Sequence, residues 1–258
     1  MFTINARFTA QTYQKYSEYC QRAIEMNVAI MQPYLFPYIG YFQLLNAVDT
    51  FVILDNVNFI KKGWINRNQI LSNNGIVKIN LPVAKMSQNR WISQHAFFDL
   101  STHLTKLIDS CAQSYSRSDN VESITQLLHE HLEISTDNVS EFLTESLLKI
   151  SKLLGLHTNI IKASDIDIDH SLTGQDRIIE LASAANANTY VNLIGGTELY
   201  QESEFARRHM KLKFIEPNLS NYPQMHADVF IPYLSILDVI ANCDGGQLQQ
   251  QLSDYKLR

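Results

Sequence analysis

Residues 28–68 read VAIMQPYLFPYIGYFQLLNAVDTFVILDNVNFIKKGWINRN. The stretch starts with a short apolar run, residues 28–31, which breaks at Gln32-Pro33-Tyr34. Ile39, Phe42, Leu44, Leu45 and Val48 then recur at helical spacing, and a second apolar run, residues 51–54, ends on Asp55. Strand, loop, helix, strand is the βαβ unit of a parallel sheet. Ligands of such sheets sit beyond the carboxyl ends of the strands. Here those ends carry Gln32, Tyr34, Asp55 and Asn56.

Outward from this unit, the pattern continues as α/β. Asn73-Asn74-Gly75 is a hairpin turn signal between residues 68–71 and 77–81. Residues 101–155 read as wholly helical, with Leu104, Leu107 and Ile108, then Ile124, Leu127 and Leu128, then Phe142, Leu143, Leu147 and Ile150 as apolar stripes ending at Gly155. Alternation resumes with a strand at 159–162, a helix at 178–186 and a strand at 189–193. A helix at 198–209, a strand at 211–216 and a last apolar helix at 233–241 follow. The fold class is α/β, a mostly parallel Rossmann-like sheet with an all-helical segment in the middle. Residues 27–258 form one domain. Residues 1–25 are an appended extension, with a short helix expected at 11–24.

The bulk numbers exclude several classes. A net charge of -5 argues against a duplex-binding protein, whose surface shows a basic excess. Three isolated cysteines, with no CxxC pair, fit a reducing compartment and argue against structural zinc. No apolar run approaches the roughly 18 residues of a membrane span, and residues 1–25 lack a signal-peptide core. A cytoplasmic location is the expectation. His129-Glu130-His131 lacks the HExxH spacing, so no metal site is expected there.

Candidate site residues follow from position. Gln32, Tyr34, Tyr38 and Tyr41 cluster at the first strand end, either lining a ligand or packing with their hydroxyls at the rim. Asp55 is a general base or a turn cap. Lys61, Lys62, Trp64, Arg67 and Asn68 suit an anionic ligand with a ring stacked on Trp64, against the alternative of a solvated basic loop. Gln175, Asp176 and Arg177 open a helix after Gly174, where backbone amides favour an anion. Asn192, Gly195 and Gly196 end the strand at 189–193, and paired glycines permit close backbone approach or simply a tight turn.

The blocks AIMQPYLFPYIGYFQLLNAVDTFVILD, VNFIKKGWINRNQI, LTGQDRIIELA, YVNLIGGTELY, KLKFIEP and PYLSILDVI resemble the WbqC-like family across residues 27–258. Its genes often lie in O-antigen and other surface-polysaccharide clusters. The layout around Phe36-Pro37-Tyr38-Ile39-Gly40-Tyr41 also looks like HIGH-motif nucleotidyltransferases and pantothenate synthetase. In those a glycine admits phosphates and flanking histidines contact them. Here tyrosines, Tyr38 and Tyr41, stand at both histidine positions.

The resemblance implies acyl or aminoacyl transfer onto a nucleotide-linked amino sugar, or else non-catalytic binding or scaffolding of such a sugar. In the first case the segment from Lys61 to Arg67, with Arg177, would hold the pyrophosphate. Asp55, Tyr38 or Tyr41 would take the amine proton. The donor would be an acyl adenylate made with ATP or a thioester on an acyl carrier protein, and the absent histidines favour the thioester.

Overall fold

The computed structural model describes residues 25–169 and 171–258. The helix expected at residues 11–24, and Cys20, lie outside the described residues. The first unit forms as its pattern predicts: β1 (Asn27–Met31), α1 (Ile39–Asn46) and β2 (Thr50–Ile53). The asparagine-glycine turn joins β3 (Arg67–Ser72) to β4 (Gly75–Asn80), with Gly75 at φ +92. The helical segment is α2 (Leu100–Ser114), α3 (Val121–Leu132) and α4 (Val139–Leu153). Gly155, at φ +70, ends α4 as expected, with the Leu156 amide donating back to the Ser151 carbonyl.

The second half adds β5 (Asn159–Lys162), α5 (Gly174–Ala184), β6 (Thr189–Leu193), α6 (Glu202–Arg207) and β7 (Lys211–Pro217). It closes with α7 (Ile236–Asn242), α8 (Gly245–Ser253) and β8 (Tyr255–Leu257).

Six strands make the main sheet in the order β5-β2-β1-β6-β7-β8; β8 alone runs antiparallel to its neighbour. The chain winds outward from β1 through β2 to β5, then returns to the other side of β1 with β6 and β7. The winding therefore reverses between β1 and β6, the place where ligands of such sheets commonly sit. Alternation along the strands divides the core. Ala29, Phe51 and Ile53 face α1 and the helical segment, while Val28, Ile30 and Val52 face Ile178, Leu181 and Ala182 of α5. Gln43 of α1, fully buried, donates to the carbonyls of Gln251 and Asp254 and so ties α1 to the C-terminal α8.

Three expectations shift. The helix at 198–209 is a 3-10 turn, Ile194–Leu199, followed by the short α6. Tyr200 leaves the helical path to pack its ring on Tyr190 and Phe205. The helix at 178–186 begins earlier, so Gly174 to Arg177 form its first turn. The last apolar helix begins at Ile236 rather than residue 233, because Ser235 caps it by accepting from the Leu237 amide and Tyr233 sits at φ 60. No helix among the described residues is long and apolar enough to cross a membrane.

Candidate functional site

Three segments converge beside the end of β1. The chain after Met31 turns through Tyr34-Leu35-Phe36-Pro37-Tyr38 before α1 begins. Phe36 adopts φ 43, a region costly for a bulky residue and kept only where the surroundings enforce it. Asn68 enforces it by donating from one amide nitrogen to the carbonyls of Leu35 (2.9 Å) and Phe36 (2.7 Å). The Ser235 hydroxyl donates to the same Phe36 carbonyl at 2.9 Å, and the Ile236 amide donates to the Pro37 carbonyl. The Leu35 amide donates to the Trp64 carbonyl. Buried side chains from β3 and from the cap of α7 thus hold this loop in one shape.

The space these segments enclose is a cavity of about 200 Å³ walled by Tyr34, Tyr38, Trp64 and Tyr233, with Pro37 and Asn68 at its base. Tyr38 and Tyr233 meet at a ring distance of 5.7 Å and an angle of 57°. Burial, helped by neighbouring Tyr233 and Tyr34, pushes the Tyr38 phenol up to about 12. Burial also raises Tyr34. Both phenols therefore stay neutral at physiological pH and act as hydrogen-bonding hydroxyls.

A second, larger cavity of about 530 Å³ shares Trp64 and Asn68 with the first. The register of the hairpin, Arg67 opposite Asn80 and Gln69 opposite Lys78, sets these four side chains on one face. That face and Lys62 line the groove. Arg67 donates through Nε to the Gly63 carbonyl at 2.7 Å. Among the described residues, none of Lys62, Arg67 and Lys78 is paired with a carboxylate. Lys62 and Tyr233, like Phe36, hold positive φ, 66 and 60. Two of the cavity-lining residues, Lys62 and Tyr233, thus hold strained backbone, as residues at ligand sites often do, although Lys85, Asp99, Asn186 and His209 hold positive φ elsewhere.

The expected residues divide into two groups. Tyr34, Tyr38, Lys62, Trp64, Arg67 and Asn68 line the cavities, and Lys61 is exposed beside them. Tyr41 does not reach them. It is fully buried, donates to the Gln32 carbonyl at 3.0 Å and packs on Phe51, and burial raises its phenol well above the ordinary value. Gly40 lies beneath the Tyr38 ring, so the room left by its missing side chain is filled by protein. Among the described residues, no cluster of His, Cys, Asp and Glu is arranged to hold a metal.

The second group sits at the carboxyl ends of β2, β5 and β6. Asp55 is buried and accepts from the Ser140 hydroxyl (2.8 Å), the Ser164 hydroxyl (2.8 Å) and the Ser164 amide (3.0 Å). It clamps the end of β2 to α4 and to the turn after β5. Arg177 is also buried and donates to the Asn56 carbonyl. Gln175 accepts from the Gln201 amide, and Asp176 is exposed in the first turn of α5. The Asn192 amide packs under Gly196, where a Cβ would fall 2.8 Å from its nitrogen, and Gly195 is open to solvent. Asp55, Gln175 and Arg177 thus bond to neighbouring segments, while the Arg177 Nε and the Asn56 Oδ1 are buried with no hydrogen-bond partner among the described residues.

Sequence reasoning missed Tyr233 and Lys78. Tyr233 was counted as the first residue of a helix, although Pro232 before it and Ser235 after it mark a turn and a cap. Lys78 is legible as a polar residue alternating with Val77 and Ile79, two residues before Asn80, which faces Arg67.

No solved structure matches the chain. An uncharacterized protein of Mycobacterium tuberculosis, Rv1507c, is 26% identical over 217 residues, which is 83% of this chain and 93% of that protein. The family model described as WbqC-like protein family matches residues 32–250, from the end of β1 through most of α8 and across both cavities, and the chain belongs to that family.

Proposed function

We propose that the protein binds a nucleotide-linked amino sugar across the aromatic cavity and the basic groove and acylates its amine there, as a step in surface-polysaccharide synthesis. The observation that carries the reading is the junction at Trp64 and Asn68. An aromatic pocket shares Trp64 and Asn68 with a groove lined by three cations that have no carboxylate partner among the described residues. Aromatic faces suit a ring, and unpaired Lys and Arg suit a diphosphate.

A thioester is the donor that fits best, because Tyr38 covers Gly40 and occupies the place where an adenylating enzyme of the HIGH type would admit phosphates. In the transfer, the amine nitrogen attacks the thioester carbonyl carbon. The C–N bond forms as the C–S bond breaks, and the amine proton ends on the departing thiolate. The Tyr38 hydroxyl, kept neutral by burial, would donate to the carbonyl oxygen as charge builds on it.

A second reading, binding or scaffolding without turnover, is favoured by the lining itself. Among the described residues walling the two cavities there is no carboxylate, imidazole or thiol. One experiment separates the two. The protein is incubated with dTDP-linked amino sugars and either carrier thioesters or an amino acid with ATP, followed by mass spectrometry and calorimetry. A mass gain with thioester supports transfer. Binding without mass gain supports the second reading. Absence of both overturns the ligand class.

A further inference from the structure

We infer that the aromatic cavity receives the sugar ring of the ligand, that the diphosphate lies in the groove of Lys62, Arg67 and Lys78, and that the nucleoside remains outside both. The inference rests on the proposed ligand class and adds which end of the ligand is read.

The first support is the set of the rings. A flat base is held between near-parallel aromatic faces. Here Tyr38 and Tyr233 meet at 57°. Two walls at this angle form a corner, which accommodates a puckered ring presenting C–H groups in several directions.

The second support is the fate of the one amide in the cavity. Reading a base edge takes free donors and acceptors in a fixed plane. The Asn68 nitrogen is spent on the Leu35 and Phe36 carbonyls and its oxygen accepts from the Gln69 amide at 2.8 Å. Among the described residues on the wall, the other side chains that can hydrogen-bond are the three tyrosines and Trp64. Hydroxyls both donate and accept, as sugar hydroxyls do.

The third support is order along the ligand. The cavity and the groove share Trp64 and Asn68 in their linings, so the two lie side by side. In a nucleotide-linked sugar the phosphate is bonded directly to the sugar ring, whereas a ribose separates it from the base. A sugar in the cavity therefore delivers its diphosphate straight into the groove. A base in the cavity would place an uncharged ribose at the junction.

The test is calorimetry on the full chain with the UDP-, dTDP- and GDP-linked forms of one amino sugar, with UDP alone, and with the variants Tyr233→Ala and Lys62→Gln. The three sugar nucleotides are expected to bind within about threefold of one another, and UDP at least about tenfold more weakly. Tyr233→Ala, at an exposed position, should weaken the sugar nucleotides and leave UDP unchanged, while Lys62→Gln should weaken both. UDP binding as tightly as the sugar nucleotides, or affinity that follows the base, overturns the inference while leaving the proposed ligand class standing. Absence of binding by every compound at millimolar concentration removes the ligand class itself.

Discussion

The ring of Tyr38 lies across Gly40: a Cβ on Gly40 would fall 2.4 Å from Tyr38 Cε2 and 2.7 Å from its hydroxyl oxygen. The glycine is needed here so that a neighbouring side chain can form one wall of a cavity at the start of α1. Gly40→Ala should push the Tyr38 ring out of place and reshape the cavity. Because that ring is the end of a rotatable side chain, the helix need not yield, and the better helix propensity of alanine, up to about 1 kcal/mol, offsets strain. The expected result is a melting temperature close to wild type with affinity for a sugar nucleotide reduced roughly tenfold. Calorimetry and thermal denaturation on one preparation check it, and unchanged affinity would show that Tyr38 is not part of the binding wall.

Asp55 supports a prediction of the opposite kind. Its carboxylate is buried and accepts from Ser140 and from both donors of Ser164. Asp55→Ala strands those donors and should cost about 2–4 kcal/mol of folding stability. Urea denaturation measures this. A general base would behave differently, with Asp55→Asn abolishing turnover at nearly unchanged stability, and that outcome would return Asp55 to the chemistry.

How much of this was legible in the sequence follows from the range of the forces involved. The βαβ start, the hairpin and the helical segment could be read because apolar period and turn chemistry are local. Residues 64–68 could be read as a site because aromatic and basic residues interleave there. Sequence places Tyr41 and Asp55 at the chemistry, yet Tyr41 is buried against Phe51 with its hydroxyl on the Gln32 carbonyl, and Asp55 is held by Ser140, far along the chain. The wall at Tyr233 comes from a segment some 200 residues downstream of Phe36, joined through Ser235 by one hydrogen bond recorded at a separation of 199. Nothing in the local pattern announces such closure.

His131 gives a pH prediction. Its ring is fully buried, bonded to the Leu127 carbonyl at 2.7 Å and to the Ser146 hydroxyl at 2.9 Å. Burial, with a smaller push from Lys149, lowers it from 6.5 to about 4, against the opposing effect of the Leu127 bond. The unfolded chain takes up a proton near the ordinary value while the folded chain resists, so protons favour unfolding. Stability from this group is intact above about 6.5 and is lost as pH falls toward 4, by roughly 3 kcal/mol in all. His95, lowered by burial, tilts the same way. Asp238, raised by burial, tilts the other way, since its folded form holds a proton longer as pH rises. The double variant His131→Leu with Ser146→Ala removes both partners together. Its unfolding free energy relative to wild type should improve steadily as pH is lowered through this window, and a constant difference would contradict the assignment.

The groove cations allow a test that leaves the fold untouched. Lys62 and Lys78 are exposed, and neither forms an ion pair among the described residues. Removing their charges therefore breaks no structural bond, and surface charges of this kind contribute about 0–1 kcal/mol to stability. Lys62→Gln with Lys78→Gln should leave the melting temperature unchanged. If both cations face a diphosphate, affinity for the sugar nucleotide should drop by about tenfold or more at low salt. Wild-type affinity should also weaken as salt rises, because exposed charge pairs are screened over roughly 8 Å at physiological ionic strength, while the double variant should show a flatter dependence. Titrations of both proteins across a salt series read the slope directly. Parallel slopes would place the diphosphate elsewhere, and Arg177, buried against the Asn56 carbonyl, would be the next cation to vary.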